Sequence, residues 1–330
     1  MTAAVHTAQP GSAPGPCSTV PVRPEPGLQP LDARAAGLMV LLCALWGLQQ
    51  VSLKAVAAQA SPMWMIGVRS AGAALLLGAL MAWRGERVPR HRWALGAAAG
   101  SLFALEYLLV AQALQWTQAS HVVVFLYTSP LFTALGLHLW RPQERLGRGG
   151  WVGLGLAFAG LALAFLGGGS AAAGPQALWG DALAVLAGLA MGATTVTLRC
   201  TRLADAPATE TLLYQLLAAA ALLLPAAGLS GGWLEGPKAP DGLASLAWPS
   251  AAVWAHLAFQ TLVVSFASFL VWFWLLTRHS ASRLGVFGFL TPLFGVGFGV
   301  VLLGDRLTPA FVAGGLLVLA GIAQVNRPVS

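Results

Sequence analysis

Ten apolar stretches of about 20 residues each constrain this chain more than any other feature. They lie at 35–57, 62–83, 93–114, 120–140, 150–167, 181–199, 208–229, 251–277, 282–303 and 309–324. A helix of about that length matches the hydrocarbon core of a bilayer. Only 9% of the 330 residues are charged, against about 25% in soluble domains. We therefore expect an all-α integral membrane protein with ten transmembrane helices.

The basic residues are distributed unevenly around these stretches. Of the 18 lysines and arginines, 14 fall on the side of the N-terminal tail, 2 on the opposite side and 2 within apolar stretches. Cytoplasmic loops of membrane proteins carry such an excess, so we expect both termini to be cytoplasmic. The net charge of +7 then reports topology, and we expect no nucleic-acid partner.

The chain divides into a tail and two halves. Residues 1–34 are rich in Pro, Ala, Ser and Gly and have no apolar run, which predicts a disordered cytoplasmic tail rather than a signal peptide. The halves cover 35–167 and 181–324, and the Gly- and Pro-containing connections 168–180 and 230–250 are predicted loops. The three cysteines have no metal-binding or redox spacing, so we expect neither a metal nor a cofactor.

The two halves share a sequence pattern. SHVVVFLYTSPLFTALGLHLWRPQERL at 120–146 aligns with SRLGVFGFLTPLFGVGFGVVLLGDRL at 282–307. Each half contains five helices, an odd number, so consecutive copies enter the membrane in opposite orientations, as in the inverted repeats of many secondary transporters. Equivalent pairs are Ser120 and Ser282, Pro130 and Pro292, Glu144 and Asp305, Leu146 and Leu307, Gly153 and Gly314, Gly160 and Gly321, Trp46 and Met191, Gly47 and Gly192, and Lys54 and Arg199.

Pro130 and Pro292 fall at equivalent positions inside the fourth and ninth predicted helices. A proline removes a backbone hydrogen bond and kinks the helix, which a membrane tolerates where neighbours or cavity water satisfy the freed carbonyl. We consider both residues hinge candidates for helices that line a cavity. A kink that serves only packing is the alternative.

Several segments carry a family resemblance across residues 35–324. They are ALWGLQQVSLKAV from Ala44, GVRSAGAALLL around Arg69, the segment ALQWTQASHVVVFLYTSPLFTAL with the ERL that follows it, and their second-half counterparts GDALAVLAGLAMGATTVTLR and SRLGVFGFLTPLFGVGFGVVLLGDRL. In order, spacing and duplication, the chain resembles the drug/metabolite transporter superfamily, specifically its EamA-like ten-helix members. One departure is WRPQERL, which is one residue longer than the usual ending of the first repeat.

This resemblance implies a carrier of the bacterial inner (plasma) membrane with a central cavity between two five-helix repeats. We expect a secondary-active transporter, an exporter of a small metabolite, amino acid or drug, that works by alternating access. Coupling to a proton gradient and assembly into a homo-oligomer remain open. A passive facilitator or pore would show a ring of like charges or a re-entrant segment, and a membrane-embedded enzyme would show converging acid, base or metal groups. Neither pattern is evident, so we expect no enzyme.

Glu106 is the most costly residue of the membrane region, because a carboxylate at the bilayer centre costs roughly 2.5–3.5 kcal/mol even on a lenient scale. In the repeat alignment it pairs with Ser268 of the eighth helix, where Thr261, Ser265, Ser268 and Trp272 share a narrow arc at about 100° per residue. Since desolvation favours the neutral acid, Glu106 suits proton coupling or binding of a cationic group. A protonated residue that only stabilises helix packing is the alternative.

Two basic residues are further site candidates. Lys54 shares a face of the first helix with Trp46 and Gln50 and either pairs with an anionic group, such as Glu106, or extends to the membrane interface. Arg69 either forms an ion pair with Glu106 or neutralises a substrate carboxylate.

The remaining polar and aromatic residues have more ordinary expectations. Arg199 is expected to extend to the cytoplasmic interface, and Asp181 to cap its helix. Glu144 and Asp305 are expected to be structural. Candidate cavity walls, with interfacial aromatic residues as the alternative, are Trp46, Tyr107, Tyr127 and Trp272.

Overall fold

A computed structural model describes residues 29–167, 176–229, 249–303 and 307–327, and within these ranges the chain forms helices and no strand. Ten helical segments cross from one face to the other. They are α1 (Ala33–Val56), α2 (Pro62–Trp83), α3 (Trp93–Ala113), α4 (Ala119–Trp140), α5 (Arg148–Leu166), α6 (Ala177–Cys200), α7 (Ala208–Leu229), α8 (Ala251–Leu276), α9 (Ala281–Phe287 and Leu290–Leu303) and α10 (Pro309–Val325).

The ten predicted spans are confirmed. In the described part of the chain, nine helices are long and apolar enough to cross a bilayer, and Pro309–Val325 is a shorter apolar helix. The first 28 residues, most of the two predicted loops, Asp305 and Arg306 lie outside the described residues. Below, the N-terminal face is the side where α1 begins, and the opposite face is the side where it ends.

Short polar side chains begin several of these helices. Asp32 accepts a hydrogen bond from the backbone N–H of the first turn of α1, and Ser61, Ser250 and Thr308 do the same for α2, α8 and α10. Such caps satisfy backbone donors that have no partner inside the helix. These four helices begin within two residues of the starts that the apolar runs predict.

Two spans that the sequence predicts as continuous are interrupted. α4 consists of Ala119–Leu126 and Ser129–Trp140, and α9 is interrupted between Phe287 and Leu290. In each case a proline, Pro130 or Pro292, lies in the first turn after the interruption, where its missing N–H and fixed φ are tolerated. The interruption thus lies just before each proline rather than at it. Their role as hinges stays a prediction.

α8 departs from regular α-helical geometry in its middle. Residues Phe259–Ser268 form a π-helix, with regular α-helix before and after it. Its hydrogen bonds run from residue i to i+5, so successive side chains turn by less than 100°. The equivalent part of α3 is regular α-helix. The two repeats therefore differ here, although their sequences align.

Close backbone contacts recur at equivalent positions of the two repeats. A Cβ atom on Gly47 of α1 would lie 2.7–2.8 Å from Gly295 and Phe294 of α9, and one on Gly192 of α6 would lie 2.9 Å from Phe132 of α4. Gly47 and Gly192 are equivalent in the repeat alignment, and so are Phe294 and Phe132. The duplication predicted from sequence is thus also present in the packing.

The last helices of the two repeats, α5 and α10, pack directly against each other. A Cβ on Gly160 would lie 2.6 Å from the carbonyl oxygen of Gly314, and one on Gly153 would lie 2.8 Å from that of Gly321. Only residues without a side chain permit this approach, as in other membrane helix pairs that contact through small residues.

Charged contacts join the repeats at the N-terminal face. The Glu144 carboxylate, at the end of α4, accepts a 2.7 Å hydrogen bond from Nε of Arg199 and a 2.7 Å bond from the backbone N–H of Ala281. The Arg199 side chain also donates to the carbonyl of Leu276 at 2.6 Å. Arg199 is therefore buried in an ion pair, and the prediction that it extends to the interface is wrong. A neighbouring pair joins Arg92 to Glu210 at 2.9 Å.

Asp181 contributes a contact between the repeats at the opposite face. α6 begins at Ala177, four residues earlier than predicted, so Asp181 lies inside the helix and the prediction that it caps α6 is wrong. Its carboxylate accepts a 2.6 Å hydrogen bond from the Thr117 hydroxyl and lies 3.2 Å from Nδ1 of His121. Any shift in the start of a helix changes which residue caps it, and the ends of helices are the bounds that a sequence locates least accurately.

Candidate functional site

Glu106 is buried two helical turns below the opposite face. It is 8% exposed, and the residues three and four positions away from it on α3 are apolar: Leu102, Phe103, Leu109 and Val110. Val110 and Ala113 follow at i+4 and i+7 and so share its face of α3. Both pack in a cluster with residues of α4 and α6, including Val122 and Ala184. Glu106 therefore lies on the side of α3 that faces the interrupted α4 and the second repeat.

The Glu106 carboxyl group has no protein partner among the residues that the structure describes: no ion pair and no side-chain hydrogen bond reaches it. Of the two partners considered from sequence, Arg69 binds other groups, as described below, and Lys54 is exposed near the end of α1. A buried ionised carboxylate without a partner is strongly unfavourable. The group is therefore neutral, or it binds a cation supplied from outside the protein.

Arg69 is enclosed in the half of α2 that is nearer the opposite face, with 1% of its surface exposed. Nη1 donates a 2.5 Å hydrogen bond to Oε1 of Gln260, and Nη2 donates a 3.3 Å bond to the hydroxyl of Tyr107. The Nε atom is buried without a partner in the described part of the chain. Of the two alternatives that the sequence left open for Arg69, the ion pair with Glu106 is therefore not formed, since the guanidinium donates to neutral side chains of α8 and α3.

Gln260 extends this arrangement to α1. Its Nε2 donates to the backbone carbonyl of Gln49 at 3.2 Å and to the Ser52 hydroxyl at 3.3 Å. The Ser52 hydroxyl lies 2.8 Å from Nδ1 of His256. We name Arg69, Gln260, Ser52 and His256 the polar chain. Sequence reasoning missed Gln260 and Ser52, although each is a polar residue inside an apolar span, the same signal that singled out Glu106.

An open cavity of about 410 Å³ adjoins the polar chain. Its walls are almost entirely apolar, and Ser52 and His256 supply the polar groups. The residues that line it come from α1, α8 and the end of α9: Leu48, Val51, Ser52, Ala55, Ala255, His256, Phe259 and Leu302. The cavity is large enough for a small organic molecule.

The hydroxyl stripe predicted on α8 is divided between two neighbours. Thr261 packs against Gly72 of α2, where a Cβ atom on Gly72 would lie 3.0 Å from the Cγ2 methyl group of Thr261. Ser268 accepts a 3.0 Å hydrogen bond from the indole N–H of Trp46 on α1. Ser265 is fully buried, and its hydroxyl has no partner in the described residues. Because the π-helix turns successive side chains by less than 100°, an arc calculated at 100° per residue does not describe this part of α8.

Aromatic rings surround this part of the molecule. Trp46 makes edge-to-face contacts with Trp272 and Phe269, and Phe103 joins Phe269 to Tyr107. Tyr127, at the interruption of α4, is buried and packs against Phe289, at the interruption of α9. Gln50, by contrast, is exposed rather than enclosed with Trp46.

The described residues contain no group of three or more His, Cys, Asp or Glu side chains placed to hold a metal ion. The polar groups of this region can instead form hydrogen bonds and ion pairs with an organic molecule. They occur as one buried acid, one buried base and an adjoining cavity. Such polar and ionisable residues inside a membrane protein mark substrate or ion pathways by default.

Comparison with known proteins identifies the fold and its class. The sequence profile of the EamA-like transporter family matches residues 33–166 and again residues 178–327. The chain belongs to the EamA-like transporter family. It is accordingly a multi-pass membrane transporter, which is consistent with the ten helices.

Two relatives carry the same general description. An uncharacterized transporter, sll0355, of Synechocystis sp. (strain ATCC 27184 / PCC 6803 / Kazusa) is 26% identical over 307 residues, which cover 86% of this chain and 87% of that protein. The uncharacterized transporter YoaV of Bacillus subtilis (strain 168) is 32% identical over 82 residues, or 25% of this chain and 28% of that protein. A solved crystal structure with 21% identity aligns with a TM-score of 0.71, over 89% of this chain and 96% of that one. The similarity to this crystal structure supports the fold alone.

Proposed function

We propose that this family member is a secondary-active transporter of a small organic molecule, that it works by alternating access, and that Glu106 carries the coupling proton. The observation that carries the proposal is that Glu106, only 8% exposed, has no hydrogen-bond or ion-pair partner among the described residues. A neutral acid in this position can release its proton only when water, a cation or a cationic group reaches it. Proton binding and substrate binding at Glu106 would then be linked.

The surroundings of Glu106 support this role. It faces α4, one of the two helices that are interrupted just before a proline, and α6 of the other repeat. Inverted-repeat transporters bind substrate at the interface between repeats, commonly beside interrupted helices. We further propose, from the positions of the basic residues, that the N-terminal face is cytoplasmic in a bacterial inner membrane, and that transport runs outward.

The test has two stages. First, metabolites that accumulate outside cells that overproduce the protein, but not outside a deletion strain, identify the cargo. Purified protein is then reconstituted into liposomes loaded with that cargo, and transport is measured with and without a pH gradient. Wild-type protein is expected to accumulate cargo against its gradient. Glu106→Gln is expected to lose gradient-driven accumulation and to retain exchange of labelled for unlabelled cargo, which needs no net proton movement.

Glu86→Gln is the matched control, because Glu86 lies in the connection after α2, outside the membrane-spanning segments, and is partly exposed. It accepts a hydrogen bond from the Thr209 hydroxyl, which the amide oxygen of a glutamine can also accept. This variant is expected to behave as wild type. Full pH-driven accumulation by a normally expressed Glu106→Gln variant would refute the coupling role. Equilibration of cargo without any accumulation by the wild-type protein would instead indicate a passive facilitator.

A further inference from the structure

The guanidinium of Arg69 has no acidic partner, although it is one of the most completely buried side chains in the described part of the chain. Its hydrogen bonds go to the neutral side chains of Gln260 and Tyr107. Arg199, by contrast, is also buried but forms an ion pair with Glu144. Arg69 is therefore a buried positive charge whose counter-ion is not supplied by the described residues.

A buried charge without a counter-ion is strongly destabilising, so its retention indicates a function. We infer that Arg69 binds a carboxylate group of the transported molecule, an inference that rests on the proposed transport function. The guanidinium fork matches a carboxylate in geometry as well as charge. In the described structure the amide oxygen of Gln260 occupies one of the positions that a carboxylate oxygen would take.

The class of the bound molecule follows from the surroundings of Arg69. The groups that contact it directly are neutral, so a single guanidinium matches a single negative charge better than a doubly charged phosphate. The cavity beside the polar chain ends at Ser52, one hydrogen-bonded residue away from Gln260. Its walls are apolar aliphatic and aromatic side chains, among them Leu48, Val51 and Phe259. A small monocarboxylate with an apolar body fits this description.

The proposal is tested by thermal unfolding of the purified full-length protein in detergent. Four probes carry a branched aliphatic body: 4-methylpentanoate, 3-methylbutanoate, 4-methylpentanamide and isopentylamine. The two carboxylates are expected to raise the melting temperature in a saturable manner, whereas the amide and the amine are not. Arg69→Gln is expected to abolish the response to both carboxylates. Failure of either carboxylate to stabilise wild-type protein more than Arg69→Gln overturns the proposal.

Gln260→Glu provides a second variant in case Arg69→Gln does not fold. It places a carboxylate at 2.5 Å from Nη1 of Arg69, where the amide oxygen now lies. The variant is expected to lose the response to added carboxylates, because the counter-ion is already present. Its carboxylate cannot donate the hydrogen bond that Nε2 of Gln260 gives to the Gln49 carbonyl, so its melting temperature without ligand serves only as the baseline for that comparison. A Gln260→Glu variant that still responds as wild type contradicts the proposal.

Glu106→Gln separates this proposal from the proposed proton coupling. The control Glu86→Gln is expected to keep the response to 4-methylpentanoate, because Glu86 lies in the connection after α2, outside the membrane-spanning segments. If the carboxylates fail to stabilise wild-type protein while Glu106→Gln still loses pH-driven transport, the carboxylate assignment alone is refuted. If the carboxylates bind through Arg69 while Glu106→Gln transports normally, the coupling role alone is refuted.

Discussion

Removal of the Glu144 carboxylate is expected to destabilise the protein strongly. This carboxylate is 2% exposed, accepts hydrogen bonds from Arg199 and from the backbone of Ala281, and lies 2.6 Å from Nη2 of the same arginine. Loss of one partner from a buried ion pair lowers stability by about 3–5 kcal/mol, because the other charge stays buried. Glu144→Gln is expected to lower the free energy of unfolding by about this amount.

The exposed pair of Arg84 and Glu86 provides the control. Its side chains are 51% and 27% exposed at a separation of 3.7 Å, and pairs of this kind contribute about 0–1 kcal/mol. Arg84→Gln is therefore expected to change stability by less than about 1 kcal/mol. Both variants can be compared by reversible unfolding in mixed micelles of a mild detergent and SDS, followed by tryptophan fluorescence.

A double variant tests whether the effect comes from the unpaired charge. Glu144→Gln with Arg199→Gln removes both charges and is expected to lose less stability than the two single variants summed, since contacting residues are not additive. The reasoning is refuted if Glu144→Gln loses no more than Arg84→Gln. It is also refuted if the two single losses add fully in the double variant.

Two further predictions concern the contacts between repeats. Gly160→Ala places a methyl group 2.6 Å from a carbonyl oxygen of α10 and is expected to lower the melting temperature, whereas Gly155→Ala, with nothing within 4 Å, is expected to leave it within about 1 °C of wild type; equal melting temperatures would contradict this packing. Cys43 is buried and its thiol donates to the Phe287 carbonyl of the second repeat. In a variant without the other two cysteines, Glu144→Gln is expected to speed labelling of Cys43 by a water-soluble thiol reagent, and an unchanged rate would show that the ion pair does not keep this interface closed.

The number and position of the helices could be predicted because both depend on local properties. A span needs a sufficiently long apolar run, and residues such as Ser61 with Pro62 mark where a helix begins. The repeat relation could be predicted as well, because proline, glycine and charged residues, among them Gly47 and Gly192, recur in the same order in both halves. These features require no knowledge of which helix packs against which.

The partners of the charged residues could not be predicted in the same way. Arg69 binds Gln260, which is 191 residues away in the chain, and Arg199 binds Glu144, which is 55 residues away. Hydropathy places a residue at a depth in the membrane but does not give the direction in which its side chain points. The π-helix of α8 adds a further difficulty, because it rotates the following side chains and has no composition signature.

The contact between α5 and α10 has a consequence for movement. The pairs Gly160 with Gly314 and Gly153 with Gly321 exchange places when the two repeats are superposed on each other. A transporter that changes access by letting each repeat adopt the conformation of the other would therefore leave this contact looking the same before and after. In such a transporter, the contact between α5 and α10 would stay fixed while the other helices of each repeat move relative to it.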